Sequence, residues 1–345
     1  MSDRTGPFPL KLGGAFSSPY SLKMRAVLRY RRIPFRWVLR NSPWDDLPPV
    51  AVPIIPVLAF PDADGRYTEA MVDSSPQIAR LEERFSGRSL VPADAALAFV
   101  DFLIEDFADE WVTKMMYHYR WAYAPDADKA GDLLPLDHDL HLTDERAAKA
   151  KAFIVDRQVS RRALVGSTDE NRPVIEGSYE RLLDLLQAHL ASHPFVLGDR
   201  PGRGDMALYG QLKPMLWWDP TPVAIAVQRA PRAVNWIERV DDLSWWDVDG
   251  DEGWSTFDDL PGTTRLLLDE IGRTYAPFML ANAAALAAGA DEVVCEIDGH
   301  AYRQAPFGYQ GKCLQWLRSA YGELSPADRE RVDGLLDGTG CETLW

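Results

Sequence analysis

Residues 17–21 read Ser-Ser-Pro-Tyr-Ser, directly after a short apolar segment at 10–16 and directly before a helical run at 22–32. A serine followed by proline at such a corner is a strong helix start. The hydroxyl can accept from the first free amides, and the fixed φ of proline suits the first turn. A strand must therefore end and a helix begin at one point, with free amides and the positive end of the helix dipole presented there. That geometry suits an anion site as well as a plain capped helix, and the corner by itself serves either use.

Two further signals follow in order. In Val52-Pro53-Ile54-Ile55-Pro56-Val57-Leu58-Ala59-Phe60, Pro56 heads a strand-like apolar run, where a strand tolerates the missing N–H. Residues 61–65 (Pro-Asp-Ala-Asp-Gly) are a turn signal, and a second strand is expected from Arg66. Val72-Asp73-Ser74-Ser75-Pro76-Gln77-Ile78 then opens an amphipathic helix at 76–85, with Asp73 and Ser74 at its amino end.

The order strand, Ser-Pro-Tyr-Ser, helix, Ile-Pro-Val-Leu, hairpin, Asp-Ser-Ser, helix covers residues 8–92 and resembles the thioredoxin-like domain of cytosolic glutathione transferases. The resemblance implies an α/β thioredoxin-like amino-terminal domain followed by an all-α domain. It implies a cis Ile55–Pro56 bond, with the Ile55 backbone pairing the cysteinyl part of glutathione and Asp73 and Ser74 holding its γ-glutamyl end. Ser18 matches the activating position of the serine-type classes. Ser17 and Tyr20 are close enough to be rivals, although Tyr20 reads first as a buried aromatic. Ser-Pro-Tyr-Ser also resembles a glutaredoxin Cys-Pro-Tyr-Cys with both sulfurs replaced by oxygen. That argues against disulfide exchange here, since a hydroxyl cannot form the mixed disulfide. The resemblance further implies glutathione as co-substrate, no metal, a small apolar electrophile as second substrate, a homodimer and a cytoplasmic setting.

A fainter resemblance continues at 193–209, which looks like the buried helix start of the transferase helical domain. The usual motif has Ser or Thr where this chain has Gly202, and glycine supplies no side-chain acceptor. Asp205 is the retained member, with a structural role. Helices are expected at 95–122, 143–155, 172–192, 205–216, 230–240, 263–286, 310–320 and 325–336, with an exposed acidic loop at 126–142. In the transferase fold the first helices of the second domain face the thiol. Trp111, Met115, His118 and Arg120 are therefore candidates for the electrophile pocket, with core packing competing for each. Trp217 and Trp218 carry the same ambiguity.

A chain of 345 residues suits a two-domain protein, and the expected boundaries are 1–92, 96–260 and an extension at 261–345 of unassigned role. Within the extension, Val293–Gln304 alternates around Asp298-Gly299 and predicts a hairpin. The net charge of −15 argues against a basic nucleic-acid surface. Residues 1–95 nevertheless hold 13 Lys/Arg against 10 Asp/Glu. Their excess gathers at Lys23, Arg25, Arg29, Arg31, Arg32, Arg36 and Arg40, which suits either an anionic tripeptide or a solvated helix face.

The longest near-apolar stretch, 278–290, is too short and alanine-rich to span a bilayer. Met1–Pro9 has no apolar signal region, and three cysteines without a framework suit a reducing compartment. His138-Asp139-Leu140-His141 lacks helical metal-ligand spacing, and Asp247–Glu252 lacks the calcium-loop glycine, so both read as loops. Two other functions stay open: a glutathione-fold binding or scaffolding protein without turnover, and another glutathione-dependent enzyme such as an isomerase, dehalogenase or lyase.

Overall fold

The corner at Ser18 joins β1 (Leu10–Gly14) to α1 (Pro19–Tyr30), and the chain continues through β2 (Phe35–Leu39), β3 (Val57–Pro61), β4 (Tyr67–Val72) and α2 (Ser74–Arg84). The computed structural model describes residues 8–248 and 250–345. The sheet order is β2-β1-β3-β4, with β1 parallel to β2 and antiparallel to β3. β1 and β3 are nearly continuous buried runs and take the centre, whereas the more exposed β2 and β4 form the edges. A parallel pair needs a crossover, which α1 supplies. This is the expected thioredoxin-like arrangement. The second helix starts two residues earlier than its pattern predicts, because Asp73 turns the chain at φ 78°.

The helical part runs through α3 (Ala95–Phe107), a π-helical turn at Ala108–Val112, α4 (Thr113–Ala122), α5 (Ala124–Leu133) and α6 (Asp144–Val159). It continues with α7 (Arg172–His189), α8 (Arg203–Lys213), α9 (Pro220–Arg229) and α10 (Pro231–Val240). The expected loop at 126–142 is a correction, because α5 occupies its first half. Pro125 opens that helix, Ala127 and Ala130 pack under Trp121, and the buried Asp126 carboxylate accepts from the backbone N–H and hydroxyl of Thr221. Its acidic composition masked small residues at helical spacing.

The extension comprises α11 (Gly262–Ala288), the hairpin β5 (Val293–Ile297) and β6 (His300–Gln304), α12 (Gly308–Glu323) and α13 (Pro326–Leu336). Asp298 and Gly299 both have positive φ, 51° and 74°, as a two-residue hairpin turn requires. The extension is not peripheral. α11 packs on α3 and α7, α12 and α13 pack on α3, and Cys313, Leu314 and Leu317 belong to the same core as Phe107 and Trp111. Among the described residues no helix is long and apolar enough to cross a membrane. Met1–Pro9 falls largely outside the described residues, and the acidic loop at 247–252 includes the undescribed Asp249.

Two glycines fix how α8 packs, one against the first domain and one within the helical domain. α8 crosses the first turn of α1 so closely that a Cβ on Gly210 would stand 2.7 Å from the Pro19 carbonyl oxygen. A Cβ on Gly202 would stand 2.4 Å from Asp101 Oδ1, which explains the missing Ser or Thr. The Asp101 carboxylate accepts from the N–H groups of Arg203 and Gly204 at 2.8 and 2.9 Å, so a residue from α3 caps α8. Asp205 accepts from Val196 and Gly202 N–H, each at 3.0 Å, which is a structural role.

All but Arg36 of the basic cluster of the first domain are engaged by partners. Arg29 bonds Asp241, Arg31 pairs with Glu82, Arg32 bonds Asp247, Arg40 bonds Asp45, and Arg25 lies over Trp37. Lys23 is wholly buried where the two domains meet. Its Nζ donates to Glu105 Oε1 at 2.7 Å, Asp109 Oδ2 at 2.6 Å and Ser74 Oγ at 3.2 Å. Burial alone would lower its pKa, but the two carboxylates prevail and hold it well above the ordinary lysine value.

Candidate active site

A cavity of about 760 Å³ opens where the β1–α1 corner, the 52–56 segment, the start of α2, the α3–α4 helix and α12 converge. Ser18, Ile55, Pro56, Asp73 and Ser74 all line it. Three separate stretches of sequence therefore deliver the residues singled out above to one place, and Tyr20 joins them. None of the seven basic residues at 23–40 does, so that cluster forms no anion-binding wall.

Ser18 is the N-cap of α1. Its Oγ accepts from Ser21 N–H at a long 3.4 Å, and its own proton has no acceptor among the described residues. The two rivals are committed. Ser17 Oγ donates to Asp137 Oδ2 at 2.7 Å, and the Tyr20 hydroxyl donates to the Asp109 carbonyl at 2.8 Å. Burial, and then the charges of Glu110 and Asp109, push the Tyr20 pKa well above its ordinary value and keep the phenol protonated. The Ile55–Pro56 bond is cis. The Pro56 carbonyl accepts from Gln77 Nε2 at 2.9 Å, which ties this segment to α2. Among the described residues nothing hydrogen-bonds the Ile55 backbone.

Asp73 sits at φ 78°, ψ 118°, a conformation that non-glycine residues rarely adopt and that concentrates at functional sites. Its Oδ2 accepts from the Tyr309 hydroxyl at 2.6 Å. The extension, without an assigned role in sequence, thus supplies a wall of this cavity through Phe307, Tyr309, Gln310, Cys313 and Trp316.

The four residues expected in the electrophile pocket need correction: all of them are buried in the core and none lines the cavity. Trp111 donates to Ser178 Oγ at 3.0 Å and packs between Phe278 and Tyr302. Met115 is fully buried. His118 lies between Ser167 and Glu176, and Arg120 bonds Asp219 and the Ser17 carbonyl. The same helix meets the cavity with its other face, through Phe102, Asp106, Asp109, Glu110, Thr113 and Lys114. The π turn contributes, since its shifted bonding leaves carbonyls to be satisfied from outside. Tyr20 donates to Asp109 O, and Gln310 Nε2 donates to Glu110 O at 3.1 Å. Trp217 and Trp218 lie outside the cavity, the former exposed and the latter beneath Arg120 and Lys129.

These polar groups were missed, though a signal existed. Asp101, Glu105, Asp106, Asp109 and Glu110 form a charged stripe in an otherwise apolar helix. Burial and mutual repulsion raise Glu110 to about 8 and Asp106 to about 7. Asp109 is raised to about 6 by burial, against the pull of Lys23. Burial lowers Lys114 to about 7. The described residues contain no group of three His, Cys, Asp or Glu side chains fit to hold a metal, and His138 is bonded to the Arg40 carbonyl. A second depression of about 740 Å³ lies beside Trp236 and Trp246 and holds none of the site residues.

Residues 12–89 match the family model of the glutathione S-transferase N-terminal domain, and residues 154–239 match that of the glutathione S-transferase C-terminal domain. Among solved structures, the chain is similar to a beta-etherase from Sphingobium, at 19% identity over 67% of this chain and 94% of that one, with a TM-score of 0.47. It is similar to a glutathione transferase family member from Pseudomonas fluorescens with two glutathione bound, at 14% identity over 68% and 92%, TM-score 0.40. A tau class glutathione S-transferase from mango shares 19% identity over 75% and 95%, TM-score 0.37. No curated protein matches the chain.

Proposed function

The chain belongs to the glutathione transferase superfamily, and we propose that it binds glutathione at the Ser18 corner and directs its thiolate onto a small electrophile held against α3, the π turn and α12. One observation carries this reading: Ser18, with its proton uncommitted, shares a cavity with the Ile55–Pro56 segment and the Asp73–Ser74 pair. In this reading the Ile55 backbone pairs with the cysteinyl part, and Asp73 and Ser74 take the γ-glutamyl end.

The chemistry follows from the thiol. Only the thiolate attacks, and a free thiol has a pKa of about 8.5. Lowering it by two units needs about 2.7 kcal/mol, within the range of about 1.5–3 kcal/mol for one hydroxyl bond to an anion. The thiol proton passes to solvent, the sulfur lone pair forms the new carbon–sulfur bond, and the leaving group departs with its bonding pair. A thioredoxin-like domain at 1–92, a helical domain at 96–260 and an extension at 261–345 fit this division of labour. A cytoplasmic homodimer completes the reading, and sizing chromatography tests the dimer.

Calorimetry with glutathione, followed by turnover of a neutral aryl halide, tests the proposal. Binding at millimolar or tighter affinity with thiol-dependent turnover is expected, and no binding at millimolar ligand refutes it. A binding protein without turnover is the second reading. It is favoured by the prior engagement of Asp73 by Tyr309 and of Ser74 by Lys23. Binding without turnover selects it.

A further inference from the structure

The cavity is lined by more carboxyl groups than basic groups. Asp73, Asp106, Asp109 and Glu110 line the cavity against one lysine, Lys114. That lysine is already engaged: Nζ donates to Gln304 Oε1 at 2.7 Å and lies 4.0 Å from the centre of the Phe278 ring. Lys23, beneath the cavity, is shared among Ser74, Glu105 and Asp109.

Two deeply buried polar atoms of the lining residues have no partner among the described residues. They are Asp109 Oδ1, in a side chain 8% exposed, and Gln310 Oε1, in a residue 3% exposed. Both are acceptors. The Gln310 amide cannot simply be reversed, because its Nε2 donates to the Glu110 carbonyl. A buried acceptor left without a donor costs about 1–3 kcal/mol, so the missing partner must bring N–H or O–H groups. Asp109 and two neighbouring carboxyls on the same helix face then decide the charge. An anion is repelled by the ionised Asp109, whereas a cation is favoured by Asp109 and by ionisation of Glu110 and of Asp106, whose Oδ2 accepts from the Tyr275 hydroxyl. The opposite side is aromatic. Tyr309 and Trp316 meet edge to face with centroids 6.1 Å apart, Phe307 lies 6.4 Å from Tyr309, and Phe102 lines the α3 side. Aromatic faces hold both apolar rings and cations.

We propose that this cavity selects a second substrate bearing a protonated amine on an aromatic or apolar body. The ammonium is seated among Asp106, Asp109, Glu110 and Gln310, and the body rests against Phe102, Tyr309 and Trp316. The proposal rests on the transferase reading above and adds the charge of the second substrate. Glutathione's own ammonium does not account for the cluster. Asp73 is the carboxylate assigned to it, and the other three lie on α3 and the π turn. The raised pKa values of Asp106 and Glu110 fit the same picture, since a cation between them favours both ionised forms.

Three aryl chlorides differing at one substituent test the idea: 4-chloro-3-nitrobenzylamine, the corresponding benzyl alcohol and the corresponding benzoate. Each kcat/KM with glutathione is divided by the uncatalysed rate. The amine is expected to exceed the alcohol by about tenfold or more, equivalent to about 1.4 kcal/mol, with the benzoate slowest. In Glu110→Gln and in Asp109→Asn the amine-to-alcohol ratio should fall about fivefold or more. Equal rates for the three probes, or preference for the benzoate, overturn the proposal. Binding of benzylamine and benzyl alcohol without glutathione, followed by tryptophan fluorescence, reads the same preference if no probe turns over. Tighter amine binding that weakens in Glu110→Gln supports the proposal, and equal binding overturns it. Glutathione calorimetry on the same protein reports separately on the transferase reading.

Discussion

Replacing Ser18 by alanine separates capping from chemistry, because the proposed role on the thiolate is worth far more than the long capping bond. The capping bond from Ser21 N–H is 3.4 Å long, against about 2.9–3.0 Å for a good one, so its loss should cost about 0.5 kcal/mol, the low end for a cap. In a chain of this size that moves Tm by less than about 1 °C. Loss of a bond that lowers a thiol pKa from about 8.5 to about 6.5 is worth about 2.7 kcal/mol. At pH 6.5 the thiolate fraction then drops from about one half to about one hundredth. A more basic thiolate is also a better nucleophile, with a slope of about 0.4–0.5, which returns about tenfold of the lost rate. The net fall in kcat/KM at pH 6.5 is about fivefold, and the deficit closes near about pH 7.5 and reverses above it. The signature is therefore a pH profile moved upward by about two units, with near-wild-type stability. Initial rates from pH 5.5 to 9.5 and a thermal melt provide the readout, with Ser17→Ala and Tyr20→Phe as controls. Retention of the wild-type rate and profile in Ser18→Ala, with loss of both in either control, would refute the assignment. Ser18→Cys should exchange transferase turnover for mixed-disulfide chemistry, detected by mass spectrometry with glutathione disulfide.

Asp73→Ala should weaken glutathione binding by about 1.5–3 kcal/mol in calorimetry, the scale of a charge-assisted bond. Tyr309→Phe should raise the glutathione Kd about fivefold, because the hydroxyl that fixes the Asp73 carboxylate is lost; tighter binding would show that Tyr309 competes with the ligand instead. Gly202→Ser should destabilise by about 1–3 kcal/mol in urea unfolding, since its Cβ strikes Asp101, and a stability gain would contradict the steric argument. Stability should also depend on pH. Burial raises the folded pKa of Asp101 and Asp109 to about 6, of Asp106 and Asp205 to about 7 and of Glu110 to about 8. Each acid binds more protons folded than unfolded, so its contribution is full below about pH 4 and is lost as pH rises through the folded value. Tm should therefore fall from pH 5 to 7. Above about pH 7 the decline should ease, because Lys114, lowered to about 7, binds fewer protons folded than unfolded. Glu110→Gln should flatten the slope, and a Tm that rises from pH 5 to 7 in calorimetric scans would contradict the burial argument.

What the sequence determined by itself is local. The Ser18-Pro19 start, the Pro56 strand head, the Asp298-Gly299 turn and the helix spans depend on capping, fixed φ and periodicity within a few residues. These act whatever the rest of the chain does. The order of such signals was enough to place Ser18, Ile55, Pro56, Asp73 and Ser74 in one thioredoxin-like domain, which the fold brings to a single cavity. Only the tertiary structure decided what faces that cavity. Helical periodicity says that Trp111, Met115 and His118 share a side, but the neighbours on each side determine which is core, and those come from α7, α11 and the hairpin. The π turn, which shifts the helix register by one residue, has no sequence signature strong enough to read. The basic run at 23–40 looks like a surface until Asp241, Asp247, Glu105 and Asp109 arrive from the second domain. The contact between Tyr309 and Asp73 spans 236 residues, and nothing local in either residue encodes a partner at that distance; it exists because α11 packs on α3 and returns the chain to the mouth of the site.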